Sequence, residues 1–381
     1  MKILIVGYAT GAVFLWVMTF GYAFFLAAGA ALKKRKSSDP ESWPEIAVVV
    51  PTLNEEELIL NKLQDLRRTD YPEGRIEFVV IDGGSRDRTV SLVEEEIDKG
   101  MRVRLVRLTG ILKKIEQVNH ALEHLRQEVL VFTDADSRLD PDCIRRLVGL
   151  LSGDCRLAIA GAAVFPESGL VEERIHWRLV NFLWWLEGEV FASSGFSGVC
   201  YGLWKKRAGP IHPHALTEDI YLALAARARG WRVRTCPAAR ATEMRTPRTV
   251  KGLFQYRRRR GSGYLSELIR VKPQRSSPTR WRVIRRIRIV QFCLVPRMAV
   301  FLLALGVVLA FSDYRLTLWL SVGIFGLSAL SILFFMNGEI RKSVGFLKLG
   351  RAAARYGVLI LASLLTLSRH PTRQVPRGGK P

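Results

Sequence analysis

The fold is decided by two apolar runs, IAVVVPT at residues 46–52 and VLVFTD at 129–134, which both end in polar residues. Two similar runs lie between them, at 77–82 and 103–108, and segments of helical composition follow at 55–68, 86–99 and 113–127. Strands rich in Val and Ile that alternate with helices are typical of a mostly parallel sheet with helices on both faces. The sequence therefore predicts an α/β, Rossmann-like domain at about 43–264.

Polar side chains follow three of these strands, namely Asn54 and Glu55, then Asp82, then Asp134 and Asp136. Ligands of such sheets bind beyond the carboxyl ends of the strands, so these side chains converge on one crevice. The two-residue spacing of Asp134 and Asp136 points both carboxylates to the same side, and hard oxygen ligands suit Mg²⁺ or Mn²⁺ carrying a diphosphate. Because the sequence has neither common glycine-rich phosphate loop after the first strand, a bound nucleotide would depend on such a metal.

The composition indicates an anionic partner and a membrane. The 381 residues include 58 Lys and Arg against 35 Asp and Glu, which gives a net charge of +23, and 49% of the residues are apolar, with a mean hydropathy of +0.11. A basic balance favours anionic partners, but this apolarity is unusual for a soluble nucleic-acid-binding protein. We therefore expect anionic membrane lipids among the partners and no nucleic acid.

The first 36 residues predict a retained membrane anchor. Residues 3–32 carry no charge and are numerous enough to cross about 30 Å of hydrocarbon. Four basic residues follow directly at 33–36, whereas a cleaved signal peptide has its positive charge before a shorter apolar run. The basic end favours a cytoplasmic location for the region that follows.

The C-terminal third predicts further membrane segments. A basic amphipathic stretch at 265–297 is typical of an interfacial helix, and apolar runs at 298–311 and 316–336 predict a transmembrane hairpin at 298–336. The basic region 337–381 contains a short apolar piece, 356–368, which fits either a span or an interfacial helix. We expect a multi-pass protein of the cell membrane whose α/β domain faces the cytoplasm.

Six groups of residues occur in an order that is typical of one enzyme family. They are Pro51, Thr52, Asn54 and Glu55; DGGSRDRT at 82–89, with Gly83 where a second Asp is common; Lys114 and Asn119; Asp134 and Asp136; Ser197 and Gly198 with, approximately, Arg207; and Glu218 and Asp219 before Gly230 and Trp231. Together they resemble the inverting family 2 glycosyltransferases, which have the GT-A fold, over about 46–264.

The resemblance implies a site residue by residue. The residues expected to bind a nucleoside diphosphate sugar are Pro51, Thr52, Asn54, Glu55, Asp82, Gly84, Ser85, Lys114, Asn119, Asp134, Gln255 and Arg258. Asp134 and Asp136 are expected to hold Mg²⁺ or Mn²⁺, Asp219 to act as general base beside Glu218, and Ser197 and Gly198 to line the acceptor region. An Asx-type turn is the alternative for Asp82, and a helix cap is the alternative for Asp219.

The sequence departs from the family's processive members at 255–260, QYRRRR. Processive synthases carry QxxRW here, and Arg259 stands where the Trp would be. This favours a single sugar transfer to a lipid-linked acceptor, while a processive polysaccharide synthase of the chitin, hyaluronan or cellulose type is the alternative, with a growing glycan as acceptor. A third hypothesis is a non-catalytic polybasic membrane scaffold, because such an arginine run also attracts anionic lipid.

Overall fold

The computed structural model describes residues 2–32, 42–190, 193–275 and 277–312, and six positions between 355 and 365. The strands in these ranges are β1 (Ile46–Thr52), β2 (Ile76–Asp82), β3 (Val103–Arg107), β4 (Val129–Thr133), β5 (Ser137–Leu139), β6 (Leu157–Pro166), β7 (Cys200–Trp204) and β8 (Arg232–Glu243). The helices are α1 (Lys2–Trp16), α2 (Tyr22–Ala31), α3 (Ile59–Arg67), α4 (Thr89–Asp98), α5 (Lys114–His124), α6 (Cys143–Ser152), α7 (Val171–Val190), α8 (Lys205–Ala208), α9 (Glu218–Ala228), α10 (Val250–Arg270) and α11 (Thr279–Ser312).

One mixed sheet runs through the described residues in the order β3-β2-β1-β4-β7-β6-β8-β5. The four strands predicted from the sequence form its parallel half, and β6 also pairs in parallel with β8. The strand β7 runs antiparallel to both β4 and β6, and β5 runs antiparallel to β8. The predicted α/β fold is confirmed, and the antiparallel strands make its second half mixed.

Helices cover both faces of the sheet, as the apolar runs predict. Alternate residues of β1 point to opposite faces, because side chains in a strand alternate. Val48 and Val50 pack with Leu63 of α3 and Leu147 of α6, whereas Ala47, Val49 and their neighbours pack against α5 and α9. The strand is fully buried as a result.

Two predicted helix starts, at 55 and 86, are too early. The helices begin at Ile59 and Thr89, because the preceding backbone amides bond to side chains of the neighbouring loop. The Glu55 amide donates to Thr89 Oγ1 at 2.7 Å, and the Glu56 amide donates to an oxygen of Asp87 at 3.2 Å. The loops after β1 and β2 are therefore joined to each other before either helix starts.

Two apolar helical segments of spanning length pack together among the described residues. They are Lys2–Ala31, in which a π-helical turn joins α1 to α2, and Thr279–Phe311. Tyr8 and Ala12 of the first contact Leu302 and Leu309 of the second. The basic stretch 279–297 and the apolar run 298–311 thus form one helix, and the chain breaks earlier, between α10 and α11.

The other predicted membrane segments lie outside the described residues. They are the second arm of the hairpin at 316–336 and, apart from the six positions between 355 and 365, the region 337–381.

A buried carboxylate joins helices α2 and α11 to the α/β domain. Glu187 of α7 is fully buried and accepts from Arg288 of α11 at 2.5 Å and from the Tyr22 hydroxyl of α2 at 2.7 Å. Its second oxygen accepts from the amide and hydroxyl of Ser194, whose hydroxyl also accepts from Tyr264 of α10. One carboxylate therefore ties three helices to the loop that precedes Ser197.

We expect Glu187→Ala to destabilise the fold strongly, because it leaves the Arg288 guanidinium buried without its partner. Removing one member of such a pair costs about 3–5 kcal/mol. Tyr22→Phe, which deletes one hydrogen bond to the same carboxylate, should cost about 1 kcal/mol. Urea unfolding in a mild detergent measures both changes, and equal effects of the two variants would contradict the central place of the ion pair.

Candidate functional site

The loops after β1 and β2 hold each other in a fixed shape at the carboxyl edge of the sheet. Asn54 has a left-handed backbone with φ of 58°, a conformation that Asn tolerates better than most residues. Its amide donates to Ser85 Oγ at 2.8 Å, and its side-chain oxygen accepts from the Arg86 amide at 2.9 Å. The Pro51–Thr52 end of β1 lies beside Ile81 and Asp82 in parallel register.

Asp82 is buried and shapes its own turn. One carboxylate oxygen accepts from the amides of Gly84 and Ser85 at 3.0 and 2.9 Å, and the other accepts from the Ser85 hydroxyl at 2.5 Å. This is the Asx-type turn that the sequence left open as an alternative. Gly83 is required by its surroundings, because a Cβ there would overlap the carbonyl oxygen of Leu112. A second Asp, common in the family, does not fit at this position.

The loop after β4 presents Asp134 and Asp136 above a buried lysine. Lys62 of α3 donates to Thr133 Oγ1 at 3.2 Å and to Ser137 Oγ at 3.0 Å, and so holds the two ends of the loop that contains Asp134 and Asp136. Asp136 lies near Glu55, and burial together with this neighbour raises the pKa of Glu55 despite its ion pair with Arg245. The two predicted metal ligands therefore reach the same crevice as the loop after β1.

Lys114 lies at the centre of the site. Its ammonium is 2.5 Å from Asp134 Oδ1, 2.6 Å from Glu218 Oε1 and 3.0 Å from the Gly198 carbonyl oxygen. Burial alone would lower the pKa of Lys114, but Asp134 and Glu218 outweigh burial and hold it well above its ordinary value. The ammonium stays charged and joins residues that are far apart in the sequence.

Glu218 and Asp219 open helix α9 next to Gly198. The Gly198 amide donates to Asp219 Oδ2 at 3.0 Å, and the Ile220 amide donates to Oδ1 at 2.8 Å. A Cβ on residue 198 would lie 2.9 Å from Glu218 Oε1 and 3.1 Å from Asp219 Oδ2. Glycine at 198 therefore lets its backbone approach both carboxylates.

The crowded carboxylates differ in their pKa values. Burial and the neighbouring Glu218 raise the pKa of Asp219 to about 6, and burial, opposed by Lys114 but aided by Asp136, raises that of Asp134 to about 7. Burial also acts to raise the pKa of Glu218, but the contact with Lys114 lowers it overall. Asp219 is thus a carboxylate whose pKa suits a general base near neutral pH.

Helix α10 turns Arg260 toward these carboxylates. Gly263 lies against Thr217, since a Cβ there would be 2.6 Å from Thr217 Cγ2, and this brings the helix next to the start of α9. Arg260 contacts Glu243 at 3.0 Å, lies over the Trp177 ring and lowers the pKa of Asp219 electrostatically. Arg257 is buried against Glu173.

Three residues predicted to bind the donor do not join this cluster in the structure. Gln255 is exposed, Arg258 is half-buried, and neither makes a contact with the cluster among the described residues. Asn119 donates to the Ile211 carbonyl and accepts from the Ile211 amide, both at 2.8 Å. Their binding roles stay predictions, and Asn119 is a tether between α5 and the loop before α9.

Sequence reasoning missed Lys62, Arg245 and Arg260. Lys62 has a signal in the sequence, because it lies on the same helical face as the apolar residues Ile59, Leu63 and Leu66, all buried. Arg260 has a weaker one, since a run of four arginines does not show which side chain faces inward.

The residues fit a divalent cation that is shared with a ligand. The carboxylates of Asp134, Glu218 and Asp219 lie around Lys114, Asp136 lies beside Asp134, and burial, opposed by Lys114 and aided by Asp136 and Glu218, raises the pKa of Asp134. Among the described residues no group of three or more side chains has metal-ligand geometry, so Asp134 and Asp136 would supply two of the oxygens. A diphosphate would have to supply further ones, which suits a Mg²⁺ or Mn²⁺ ion.

Two family profiles, both of glycosyltransferases, match the sequence of this chain. The profile described as glycosyl transferase family 2 matches residues 47–203, and that described as glycosyl transferase family group 2 matches residues 129–337.

Two curated proteins illustrate the similarity. The probable glycosyltransferase YdaM of Bacillus subtilis (strain 168) is 25% identical over 276 residues, which cover 66% of this chain and 64% of that protein. Glucomannan 4-beta-mannosyltransferase 7 of Arabidopsis thaliana is 27% identical over 212 residues, which cover 50% of this chain and 37% of that protein. The chain thus spans less than two thirds of either relative.

A solved structure shows the same fold. It is the mannosyltransferase PcManGT from Pyrobaculum calidifontis in complex with GDP-Man and Mn²⁺, which superposes with a TM-score of 0.71 at 21% identity, covering 96% of this chain and 98% of that one. The predicted GT-A architecture is confirmed by this likeness.

We expect Lys114→Met to lower stability in a pH-dependent way. Without the ammonium, Asp134 and Glu218 must be ionised at high pH without a partner, whereas at low pH they are protonated and neutral. The loss should be about 2 kcal/mol at pH 8 and should shrink toward pH 5. Thermal unfolding at both pH values measures it. Lys99→Met, which removes a lysine paired with Glu96 on the surface, is the control and should change stability little at either pH. A pH-independent loss in the Lys114 variant would contradict the interpretation.

Proposed function

Because this chain belongs to glycosyltransferase family 2, we propose that it transfers a sugar from a nucleoside diphosphate sugar to a membrane-associated acceptor, with inversion at the anomeric carbon and with a divalent metal. The observation that carries the proposal is the contact of Lys114 with Asp134 on the donor side and with Glu218, next to Asp219, on the acceptor side. One cation thus connects the proposed metal ligands with the proposed base.

Asp219 is the proposed general base. Its pKa of about 6 keeps it ionised at neutral pH, and it is basic enough to take the proton of an acceptor hydroxyl as that oxygen attacks the anomeric carbon. The amides of Gly198 and Ile220 fix the orientation of its carboxylate. Glu218 stays ionised through its contact with Lys114 and so supports a charged lysine.

Lys114 and Arg260 are the proposed cations on the leaving-group side. Negative charge grows on the nucleoside diphosphate as the glycosidic bond breaks, and fixed cations stabilise that charge. Bound Mg²⁺ or Mn²⁺, held by Asp134 and Asp136, would supply further positive charge to the same diphosphate. The solved structure of PcManGT contains GDP-Man and Mn²⁺. For this chain, the metal is proposed from the positions of Asp134 and Asp136.

A membrane acceptor is proposed from the helices that flank the domain. The segments Lys2–Ala31 and Thr279–Phe311 are long and apolar enough to cross a bilayer. Helix α10 directs Arg260 toward Asp219, and eight residues separate its end at Arg270 from the start of the second segment at Thr279. An acceptor carried by a lipid would therefore reach the base from the membrane side, and we propose that the domain faces the cytoplasm.

Processive polysaccharide synthesis is the second candidate. The curated relatives include a glucomannan 4-beta-mannosyltransferase, which favours a growing glycan as acceptor. The sequence favours single transfer, because Arg259 replaces the aromatic residue of the processive motif, and the structure places Arg259 over the Tyr256 ring. The length of the product distinguishes the two.

A non-catalytic scaffold is disfavoured, because a scaffold without activity has no physical use for the carboxylates around Lys114.

We expect Asp219→Asn to abolish transfer while donor binding is kept. The amide has nearly the same shape but cannot take a proton, so the turnover number should fall at least 10³-fold, at the upper part of the range for losing a general base. The purified chain in detergent, supplied with Mn²⁺, a panel of nucleotide sugars and membrane extract, provides the assay through nucleoside diphosphate release.

Asp134→Asn is the matched variant for donor binding. It should weaken metal-dependent donor binding. The control is Asp142→Asn, at an exposed ion pair with Arg146, which should change neither donor binding nor the turnover number. Full activity in Asp219→Asn would remove that residue from the base role, and no turnover with any donor would end the enzyme proposal.

The pH profile should show an acid limb near pH 6. Asp219 acts only when it is ionised, and its pKa lies above the ordinary carboxylate value, so the rate should fall as the pH drops through about 6. Measuring the ratio kcat/KM between pH 4.5 and 8 tests this. A limb near pH 4 would contradict the environment described for Asp219.

A further inference from the structure

A second charged site lies at the opposite edge of the sheet. Helix α9 carries Asp219 of the first site in its first turn and reaches this edge at Arg227, eight residues or about 12 Å further on. The strand β6 is antiparallel to β7, which is antiparallel to β4, so the start of β6 lies at the edge away from Asp134. There Arg156, Arg227, Arg232 and Arg280 line one cavity of about 220 Å³.

Arg227 is the buried part of this cavity. Its side chain belongs to a residue that is only 2% exposed, and its Nε and Nη2 atoms bond to none of the residues that the structure describes. Nη1 donates to the Trp231 carbonyl oxygen at 3.3 Å, and the guanidinium lies 5.4 Å from the Trp281 ring centre. The pKa of Arg227 is lowered to about 10, chiefly by burial, with Glu187 opposing and Arg232 adding to the effect.

The nearby carboxylates are already engaged. Asp154 pairs with Arg232 at 2.7 Å, and Glu187 pairs with Arg288 at 2.5 Å. Arg156 and Arg280 are exposed at the mouth of the cavity. The cavity therefore has a surplus of positive charge around two unsatisfied N–H groups, and a buried cation without an anion is costly.

The cavity lies where both apolar segments end. Val190 lines it and packs with Leu26 near the end of α2, and basic residues 33–36 follow that helix in the sequence. Pro278 and Arg280 line it at the start of α11. Trp281, next to Arg280, is fully buried against Ile220 and Leu224 of α9, so the cavity belongs to the α/β domain and not to the apolar half of α11.

We propose that this arginine cavity binds a phosphate group with net negative charge. Arg227 would donate from its free Nε and Nη2 atoms, and Arg156 and Arg280 would close on the phosphate from the mouth, as planar guanidinium groups do on phosphate oxygens. A soluble phosphate and the headgroup of an anionic lipid share this chemistry, and the experiment distinguishes these two sources. The site is separate from the transferase centre and binds whether or not the proposed transfer occurs.

The test measures ligand-induced stabilisation and affinity of the full chain in a nonionic detergent. The probes are dioctanoyl phosphatidic acid, dioctanoyl phosphatidylcholine and inorganic phosphate. Phosphatidic acid should bind saturably and raise the melting temperature, while phosphatidylcholine should not. Arg156→Ala with Arg280→Ala should weaken that binding at least tenfold. Arg68→Ala with Arg102→Ala removes the same charge from exposed positions elsewhere and should leave the affinity within twofold.

Arg227→Met tests the buried part of the site separately. Because its charge is unpaired in the free protein, the variant should melt no lower than the parent without ligand and should lose the shift with phosphatidic acid. Equal affinity for inorganic phosphate, with the same dependence on the arginines, would support the site and assign it to a soluble anion. Absence of saturable binding of both anionic probes, or equal loss in the two double variants, would overturn the proposal.

Discussion

The contact of Lys114 with two carboxylates is the interaction on which the site depends. Asp134 follows a strand of the parallel half of the sheet, whereas Glu218 begins a helix more than eighty residues later, and both reach one ammonium. Without it, like charges would separate these segments, since adjacent carboxylates in a partly buried place repel each other. The glycine at 198 follows from the same constraint, because only a bare backbone fits between the lysine and the acidic pair.

The parallel half of the fold could be predicted from the sequence because its strands are continuous apolar runs that need no distant partner to be recognised. Strand β7, which reads CYGLW, has no such run and pairs antiparallel. The helix starts at 55 and 86 were wrong because amide bonds between two loops, invisible in either segment alone, replaced the first helical turns. The motifs placed Lys114, Asp134 and Asp219 in order along the chain, but not the hydrogen bonds that occupy Asp82 and Asn119.

Charge was harder to assign than hydrophobicity. The run of four arginines at 257–260 predicted basic contacts, and the turn of α10 decides that Arg257 is buried against Glu173 while Arg260 faces the carboxylates. Arginines 156, 227, 232 and 280 belong to four separate segments, and only the folded sheet collects them. Helix α9 connects the two charged regions, with an acidic start at one and Arg227 at the other.

The length of α11 has a geometric consequence. Its 34 residues extend about 51 Å, whereas hydrocarbon occupies about 30 Å, so about 20 Å of the helix would lie outside a bilayer that it crossed. Trp281, fully buried against Ile220 and Leu224 of α9, fastens that portion to the helix that carries Asp219. An enzyme mounted this way would work at one height above the bilayer, and so would select its acceptors by how far their hydroxyl groups stand from the lipid that carries them.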